Sequence, residues 1–276
     1  MQLKILSDLH MQAGFDTLEF KKFGIKLNST DHQHQTLVLA GDELTWGRQY
    51  RSWMANVAHL FKHVVVVPGN HFYYGQDIKQ VKMGVESWNA VECPSNVHLL
   101  DNRSIVLDGV HFVGSTLWTD MKKNDPLVKL AVEQGLNDFR YIHNGGGMAG
   151  DQYLTAAATV EFHQTALAFI EKAVSEFQDM PTVILTHHMP SLQSVHEMYR
   201  SLDNSGLNHG FASDLDDFIY KLSPDYWIHG HTHSSCSYRM GQTKVICNPA
   251  GIYMPDHFAG LGFENPDFDP DLVVEI

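Results

Sequence analysis

The sequence has few basic residues and lacks any long hydrophobic run. Its 276 residues include 19 Lys and Arg against 32 Asp and Glu, which gives a formal net charge of -13. Without a run of basic side chains, attraction to the phosphate backbone of long nucleic acids or to anionic lipid is disfavoured. We therefore expect neither a membrane surface nor long nucleic acid as a partner.

Cysteine usage argues against a disulfide framework and against a cysteine zinc site. The three cysteines, Cys93, Cys236 and Cys247, are an odd number without CxxC spacing. No stretch of about 18 apolar residues predicts a membrane span, and the first residues lack the pattern of a signal peptide. These features predict a cytoplasmic protein, and they assign no oligomeric state.

The hydrophobic pattern predicts one layered α/β domain over residues 1–276. Several short runs are almost wholly apolar, as expected for strands covered on both faces, and longer-period patterns predict helices between them. The predicted strands are LKIL at 3–6, TLVLA at 36–40, HVVVV at 63–67, HFVG at 111–114, TVIL at 182–185 and YWIH at 226–229. The predicted helices cover 49–62, 76–89 and 157–177.

Two segments depart from this alternation. Residues 116–160 contain a Lys-Asp cluster, the NDFRYIH segment and the glycine run 145–147, which predict an insertion or cap. Residues 248–276 hold four prolines and are predicted to wrap the surface before a short strand at LVVEI.

Polar clusters follow five of the predicted strands. They are SDLH at 7–10, GDE at 41–43, GNH at 69–71, THH at 186–188 and HGHTH at 229–233. Because the carboxyl ends of neighbouring strands open into one crevice, clusters distant in sequence can converge there. Glycines at 41, 69 and 230 would let the backbone approach closely. Carboxylate, imidazole and carboxamide groups together favour a borderline divalent metal ion.

The blocks DLH, GD, GNH, THH and GHTH, in this order over residues 8–233, resemble the calcineurin-like metallophosphoesterase superfamily. That resemblance implies a four-layer α-β-β-α sandwich of two mixed β-sheets flanked by helices, with a dinuclear metal centre at the strand ends. It also implies a role for each matching residue: Asp8, His10 and His233 on one ion, Asn70, His187 and His231 on the other, Asp42 as the bridge, and His71 as the proton donor.

The expected chemistry is hydrolysis of a phosphate ester by a metal-bridging hydroxide. Two divalent ions per chain, from Mn, Fe, Zn, Co or Ni with Mn favoured, would activate water and neutralise charge. His71 would protonate the leaving alkoxide, held by a carboxylate such as Asp8. A small phosphodiester, including a nucleotide-like one, is slightly preferred. The alternatives are a phosphomonoesterase, and a noncatalytic metal-stabilised binding or scaffold protein.

Several further residues are candidate substrate contacts with competing structural explanations. Trp46, Phe72, Tyr73 and Tyr74 would form an aromatic wall of the cleft or an ordinary core. His188 would touch substrate or anchor backbone, and Arg140 would bind phosphate or pair with Asp138. His163 and His229 are interpreted as packed histidines. The acidic residue that often follows GNH in the family is absent here, which leaves the substrate contacts open.

Overall fold

The computed structural model describes residues 1–11, 32–145, 152–202, 206–252 and 263–276. Its first sheet has five strands in the order β11-β1-β2-β3-β4. The pairs β1-β2, β2-β3 and β3-β4 are parallel, and β11 pairs with β1 in the antiparallel sense. The strands are β1 (Gln2–Leu6), β2 (Gln35–Leu39), β3 (His63–Val66), β4 (Val97–Leu99) and β11 (Val273–Glu275).

The second sheet has six strands in the order β5-β6-β7-β8-β10-β9. Its central strands β6, β7, β8 and β10 are parallel, whereas β5 and β9 are antiparallel edge strands. The strands are β5 (Arg103–Leu107), β6 (Val110–Ser115), β7 (Thr182–Thr186), β8 (Tyr226–His229), β9 (Cys236–Met240) and β10 (Thr243–Cys247).

The two sheets pack face to face across a hydrophobic core. Ile5, Val38 and Val65 of the first sheet belong to the same buried cluster as Phe112 and Leu185 of the second. These strands also bury their opposite faces, which explains why their sequences are apolar throughout instead of alternating.

Helices cover the outer faces. Against the first sheet lie α1 (Arg48–Ala58) and α2 (Ile78–Val91), whose Trp53 and Trp88 pack with Leu37 and Val64. Against the second sheet lie α6 (Ala156–Glu176) and α8 (Asp216–Leu222), where Ile170 belongs to a cluster with Trp227 and Val245. The predicted four-layer α-β-β-α architecture is confirmed, and all the strands and helices predicted from hydrophobic runs are present.

The segment 116–160 contains short elements before α6 begins. They are α3 (Met121–Asn124), α4 (Pro126–Gly135) and α5 (Asp138–Tyr141). Gly146 and Gly147 of the glycine run lie outside the described residues. The remaining helix, α7 (Glu197–Leu202), follows β7. Across the described part of the chain, no helix combines the length and the apolar character that crossing a membrane requires.

Candidate metal centre

The seven metal ligands expected from the sequence converge at one end of the two sheets. Three groups of side chains place their ligand atoms within 4.8 Å of one another. The groups are Asp8 with His10 and His233, Asp42 with His187 and His231, and His10 with Asp42 and His71. Asn70 joins the second group through its Oδ1 atom, 2.9 Å from His187 Nε2.

The backbone at four of these positions is left-handed. Asp8, His10, Asp42 and His231 have φ angles of 50°, 42°, 60° and 69°. Non-glycine residues in this region cost on the order of 1–3 kcal/mol each and persist where surrounding structure enforces them. The strand-end hydrogen bonds do so here: Asp8 N donates to Gly41 O at 2.9 Å, and His10 N donates to Asp42 O at 2.9 Å.

Two glycines at strand ends allow the backbone to lie very close to the carboxylates of Asp42 and Asp8. A Cβ atom at Gly69 would lie 1.9 Å from Asp42 Oδ1, and one at Gly230 would lie 2.7 Å from Asp8 Oδ2. Real Cβ atoms essentially never come that near, so only glycine leaves room for the two carboxylates. This is the close backbone approach expected from the sequence at these positions.

The first group surrounds Asp8, which is fully buried. His10 Nε2 and His233 Nε2 lie 3.0 Å apart, and His233 Nε2 lies 3.9 Å from Asp8 Oδ1. The backbone N–H of His231 donates to both carboxylate oxygens of Asp8 at 3.1 Å. Nitrogen and oxygen lone pairs therefore face a common point, as a cation requires.

The second group is built around His187. Its Nδ1 atom lies 2.8 Å from the carbonyl oxygen of Ala40, which requires that Nδ1 carry the proton and donate it. The Nε2 atom then faces Asp42 Oδ2 at 3.3 Å and Asn70 Oδ1 at 2.9 Å. His231 Nε2 is buried with no hydrogen-bond partner among the described residues. A buried nitrogen lone pair without a partner is costly, and a bound cation would satisfy it.

The electrostatics of the centre suit a cation. Burial lowers the pKa of His10 to about 3 and depresses the pKa of His231 far below its usual range, which keeps both in the neutral, ligating form. Burial opposes protonation of His187, but the Asp42 carboxylate outweighs it and raises the pKa of His187 to about 9. The Asp42 carboxylate and the imidazoles around it thus form a set of donors of the kind that divalent cations bind.

His71 stands at the open side of the centre. Its backbone N–H donates to Asp42 Oδ1 at 2.9 Å, and its Nε2 atom lies 4.0 Å from Asp42 Oδ2. Its side chain is 39% exposed, and its ring stacks on Tyr74 with centroids 4.0 Å apart. The carboxylate that the structure places beside His71 is Asp42, whereas the sequence suggested Asp8.

A cleft of about 830 Å³ opens over the centre. Asp42, Asn70, His71, His231 and His233 form its floor. Its lining also includes the apolar or aromatic side chains of Leu136, Met189, Val195, Met198, Tyr199 and Phe211 and the polar side chains of Ser234, Ser235, Glu264, Asn265 and Asp267.

The other candidate substrate contacts lie away from this cleft. Phe72 and Tyr73 are buried in the core beneath α1 and α2, and Trp46 packs against Phe72 and Trp88. Of the aromatic run, Tyr74 alone lines the described cleft. Of the two alternatives that the sequence left open, Trp46, Phe72 and Tyr73 therefore take ordinary packing: the turn after β3 directs Phe72 and Tyr73 inward, and Trp46 lies against Phe72.

His188 and Arg140 are also placed elsewhere. His188 is buried, its Nδ1 atom lies 3.1 Å from Thr116 O, and its ring packs against His231 with centroids 4.3 Å apart. It therefore supports a ligand instead of lining the cleft. Arg140 donates to the carbonyl oxygen of Gln134 on the surface and is not among the residues that line the cleft. Asp138 instead accepts hydrogen bonds from Asn70 and Tyr74. His229 is buried against Ser194, with Nε2 and Oγ 2.8 Å apart.

Two carboxylates at the centre were missed at the sequence level. Asp138 accepts hydrogen bonds from Asn70 Nδ2 and Tyr74 Oη, each 2.7 Å long. Glu264 Oε2 lies 2.6 Å from His233 Nδ1. Neither residue has a clear local signal, because Asp138 lies in the mixed polar and apolar segment LNDFRYI and Glu264 lies in the C-terminal segment 248–276.

Comparisons with known proteins agree with this geometry. The family model for calcineurin-like phosphoesterases (Metallophos) matches residues 1–235. The uncharacterized protein L509 of Acanthamoeba polyphaga mimivirus is 24% identical over 292 residues, which span 99% of this chain and 96% of that protein. The phosphopantetheinyl hydrolase PptH from Mycobacterium tuberculosis has a similar fold, with a TM-score of 0.67, 15% identity, and coverage of 91% of this chain and 89% of that one.

A putative 5'-nucleotidase from Staphylococcus aureus is more distant, with a TM-score of 0.46, 14% identity, and coverage of 90% of this chain and 48% of that one. The family match spans most of the sequence and all five blocks that contribute to the cluster. The chain belongs to the calcineurin-like phosphoesterase family and is a metal-dependent hydrolase of phosphate esters.

Proposed function

We propose that the chain hydrolyses a small phosphodiester at a two-metal centre formed by seven side chains. The observation that supports this most strongly is the convergence of those side chains beneath an open cleft, with His71 at its edge. The proposed ligands are Asp8, His10 and His233 for one ion, Asn70, His187 and His231 for the other, and Asp42 between the two.

Two bound divalent ions would polarise the phosphate oxygens and lower the pKa of a water molecule. The chain's own residues hold the geometry: Asp42 joins the two groups, and its hydrogen bond from His71 N fixes the turn that carries the His71 ring. His71 faces the cleft, where its imidazolium donates a proton to the oxygen of the departing alcohol.

The charge of the cleft supports the preference for a diester. Its described lining includes no Lys or Arg, while Glu264 and Asp267 stand at the rim. A phosphodiester carries one negative charge at neutral pH and a monoester nearly two, so the acidic rim opposes the monoester more strongly. The apolar lining with Met198, Tyr199 and Phe211 suits an uncharged alcohol group on the ester.

The name of the M. tuberculosis protein suggests one such substrate. A phosphopantetheinyl hydrolase acts on a phosphopantetheinyl group, whose pantetheinyl arm is long and uncharged. The apolar and hydrogen-bonding side chains of the cleft favour an arm of this kind over a polyphosphate. We include nucleotide-like diesters with a single phosphate in the same proposed class, because Tyr199 and Phe211 offer aromatic faces in the cleft.

We further propose manganese as the native ion and the cytoplasm as the location. The mixed carboxylate, imidazole and carboxamide ligands suit Mn²⁺, although Fe, Co, Ni and Zn accept the same groups. The three free cysteines agree with a reducing compartment.

The test is to strip the protein with a chelator, restore Mn²⁺, Co²⁺, Ni²⁺ or Zn²⁺ separately, and compare bis-p-nitrophenyl phosphate with p-nitrophenyl phosphate. We expect metal-dependent turnover with a higher kcat/KM for the diester. A higher kcat/KM for the monoester with every metal would replace this proposal with a phosphatase.

A further inference from the structure

Asp138 is a buried carboxylate delivered to the metal centre from the segment 116–160. It begins the four-residue helix α5 and is 4% exposed. Two backbone hydrogen bonds attach the neighbouring chain to the turn after β3: Gly75 N donates to Tyr141 O at 2.7 Å, and Ile78 N donates to His143 O at 3.0 Å. The chain that directly follows Asp138 is thereby attached to the segment that leads from β3 into α2.

Both polar contacts of Asp138 reach the turn that carries Asn70 and His71. Its Oδ1 atom accepts a 2.7 Å hydrogen bond from Asn70 Nδ2 and another of 2.7 Å from Tyr74 Oη. The Tyr74 ring in turn stacks on His71. The Oδ1 atom of Asp138 thus contacts the proposed ligand Asn70 directly, and it contacts the proposed proton donor His71 indirectly, through the Tyr74 ring.

The direction of the Asn70 bond matters because a carboxamide has two different ends. Only its oxygen can bind a cation, whereas its NH₂ group is a donor. An ionised carboxylate only accepts, so Asp138 selects the NH₂ end and turns Oδ1 towards the centre, where it lies 2.9 Å from His187 Nε2. With the carboxamide turned round, NH₂ would face the cation site.

We propose that Asp138 is the positioning residue that sets the carboxamide orientation of Asn70 and so completes one metal site. This inference rests on the proposed role of Asn70 as a metal ligand. Asp138 does not contact the reacting atoms; it acts through Asn70, and through Tyr74 on the position of the His71 ring. The segment 116–160 therefore contributes to metal affinity, which the five sequence blocks alone do not predict.

The test removes the acceptor at position 138 and then exchanges donor and acceptor between the two positions. In Asp138→Leu, a side chain of similar size without a polar atom leaves Asn70 Nδ2 without its acceptor, so the carboxamide orientation is no longer set. We expect the Mn²⁺ Kd of one site to rise by about 10–100-fold, the usual effect of losing such an outer partner. In the double variant Asn70→Asp with Asp138→Asn, the amide at 138 donates to the new carboxylate at 70, whose other oxygen remains free to bind the metal. We therefore expect the affinity for Mn²⁺ to return to within about threefold of wild type.

Mn²⁺ binding is measured by equilibrium dialysis with elemental analysis, with circular dichroism to follow the fold. The control is Asp125→Asn, which removes a charge from the same segment at a helix N-cap and leaves the centre untouched. Unchanged binding in Asp138→Leu would overturn the inference, and so would a folded double variant that binds Mn²⁺ as weakly as Asp138→Leu does. The readout is independent of turnover: two ions bound without hydrolysis of any ester would refute the proposed function while leaving this inference standing.

Discussion

His233 Nδ1 lies 2.6 Å from Glu264 Oε2, so a histidine from the block after β8 contacts a carboxylate 31 residues further along the chain. A metal-ligating histidine usually gives its second N–H to such a partner, which fixes the ring and strengthens the ligand. Burial opposes protonation of His233, but the hydrogen bond to Glu264 outweighs it, so the pKa of His233 is raised.

We therefore predict that Glu264→Gln will weaken metal binding by about 10–100-fold while leaving the fold intact. Competition with a calibrated chelator measures the change. Asp267→Asn, which removes the same charge from the same cleft rim, is the matched control and should bind metal as the wild type does. Equal losses of metal affinity in both variants would show that Glu264 acts only through its negative charge in the cleft.

His71→Ala should separate proton donation from metal binding. We expect two ions per chain to remain, because His71 belongs to neither proposed ligand set. Turnover of alkyl phosphodiesters should fall by about 10²–10⁴-fold, and that of p-nitrophenyl esters much less, since a good leaving group needs little protonation. Comparing kcat for the two ester types measures this difference; equal slowing of both argues against a general acid at position 71.

Gly69→Ala should damage the centre more than its small volume suggests. The added Cβ would lie 1.9 Å from Asp42 Oδ1 and 2.7 Å from Asp42 N, so the Asp42 carboxylate or its backbone must move. We expect loss of metal-dependent turnover of at least about 10²-fold, the scale of a displaced catalytic group. Turnover after metal is restored measures the change; wild-type turnover in Gly69→Ala would contradict the close approach.

Acid should destabilise the fold partly through His98, a half-buried histidine of β4. Burial and then the neighbouring His63 lower the pKa of His98 to about 4. Because the unfolded chain binds this proton at a pKa of about 6.5, stability is present above pH 6.5 and is lost as the pH falls towards 4.

The matched variant is His98→Gln, which cannot titrate. We expect the metal-free wild type to lose about 1 kcal/mol more stability than this variant between pH 7 and pH 5, a value reduced for the partial exposure of the ring. Urea unfolding at the two pH values measures the difference. Identical losses in the two proteins would show that His98 is not the responsible group.

The ends of the buried strands could be predicted from the sequence. The other features of the site depend on contacts between residues that are far apart in the chain. Apolar runs such as Val64 to Val67 identified β3, and the polar residues after it identified Asn70. The hairpin of β9 and β10 was missed because Cys236–Met240 alternates polar and apolar residues at a partly exposed sheet edge.

The substrate side of the centre was less predictable, for a physical reason. Phe72 and Tyr73 are the same kind of residue as Tyr74, but the turn after β3 buries the first two and leaves only the third in the cleft. Asp138 and Asn70 are separated by 68 positions, and no local pattern indicates which carboxylate meets which amide. Motif spacing predicts ligands that follow strands, but it does not predict the side chains that orient them.

The central claim is tested most directly by Asp42→Asn, because Asp42 lies between the two proposed sets of ligands and is buried. After Mn²⁺ is restored to stripped protein, we expect the wild type to bind two ions per chain and hydrolyse bis-p-nitrophenyl phosphate. The variant should retain its fold and lose at least about 10³-fold in kcat, on the scale of losing a main stabilising contact in a transition state. Wild-type turnover in this variant, or metal-bound wild type without turnover of any phosphate ester, would contradict the account and favour a noncatalytic scaffold.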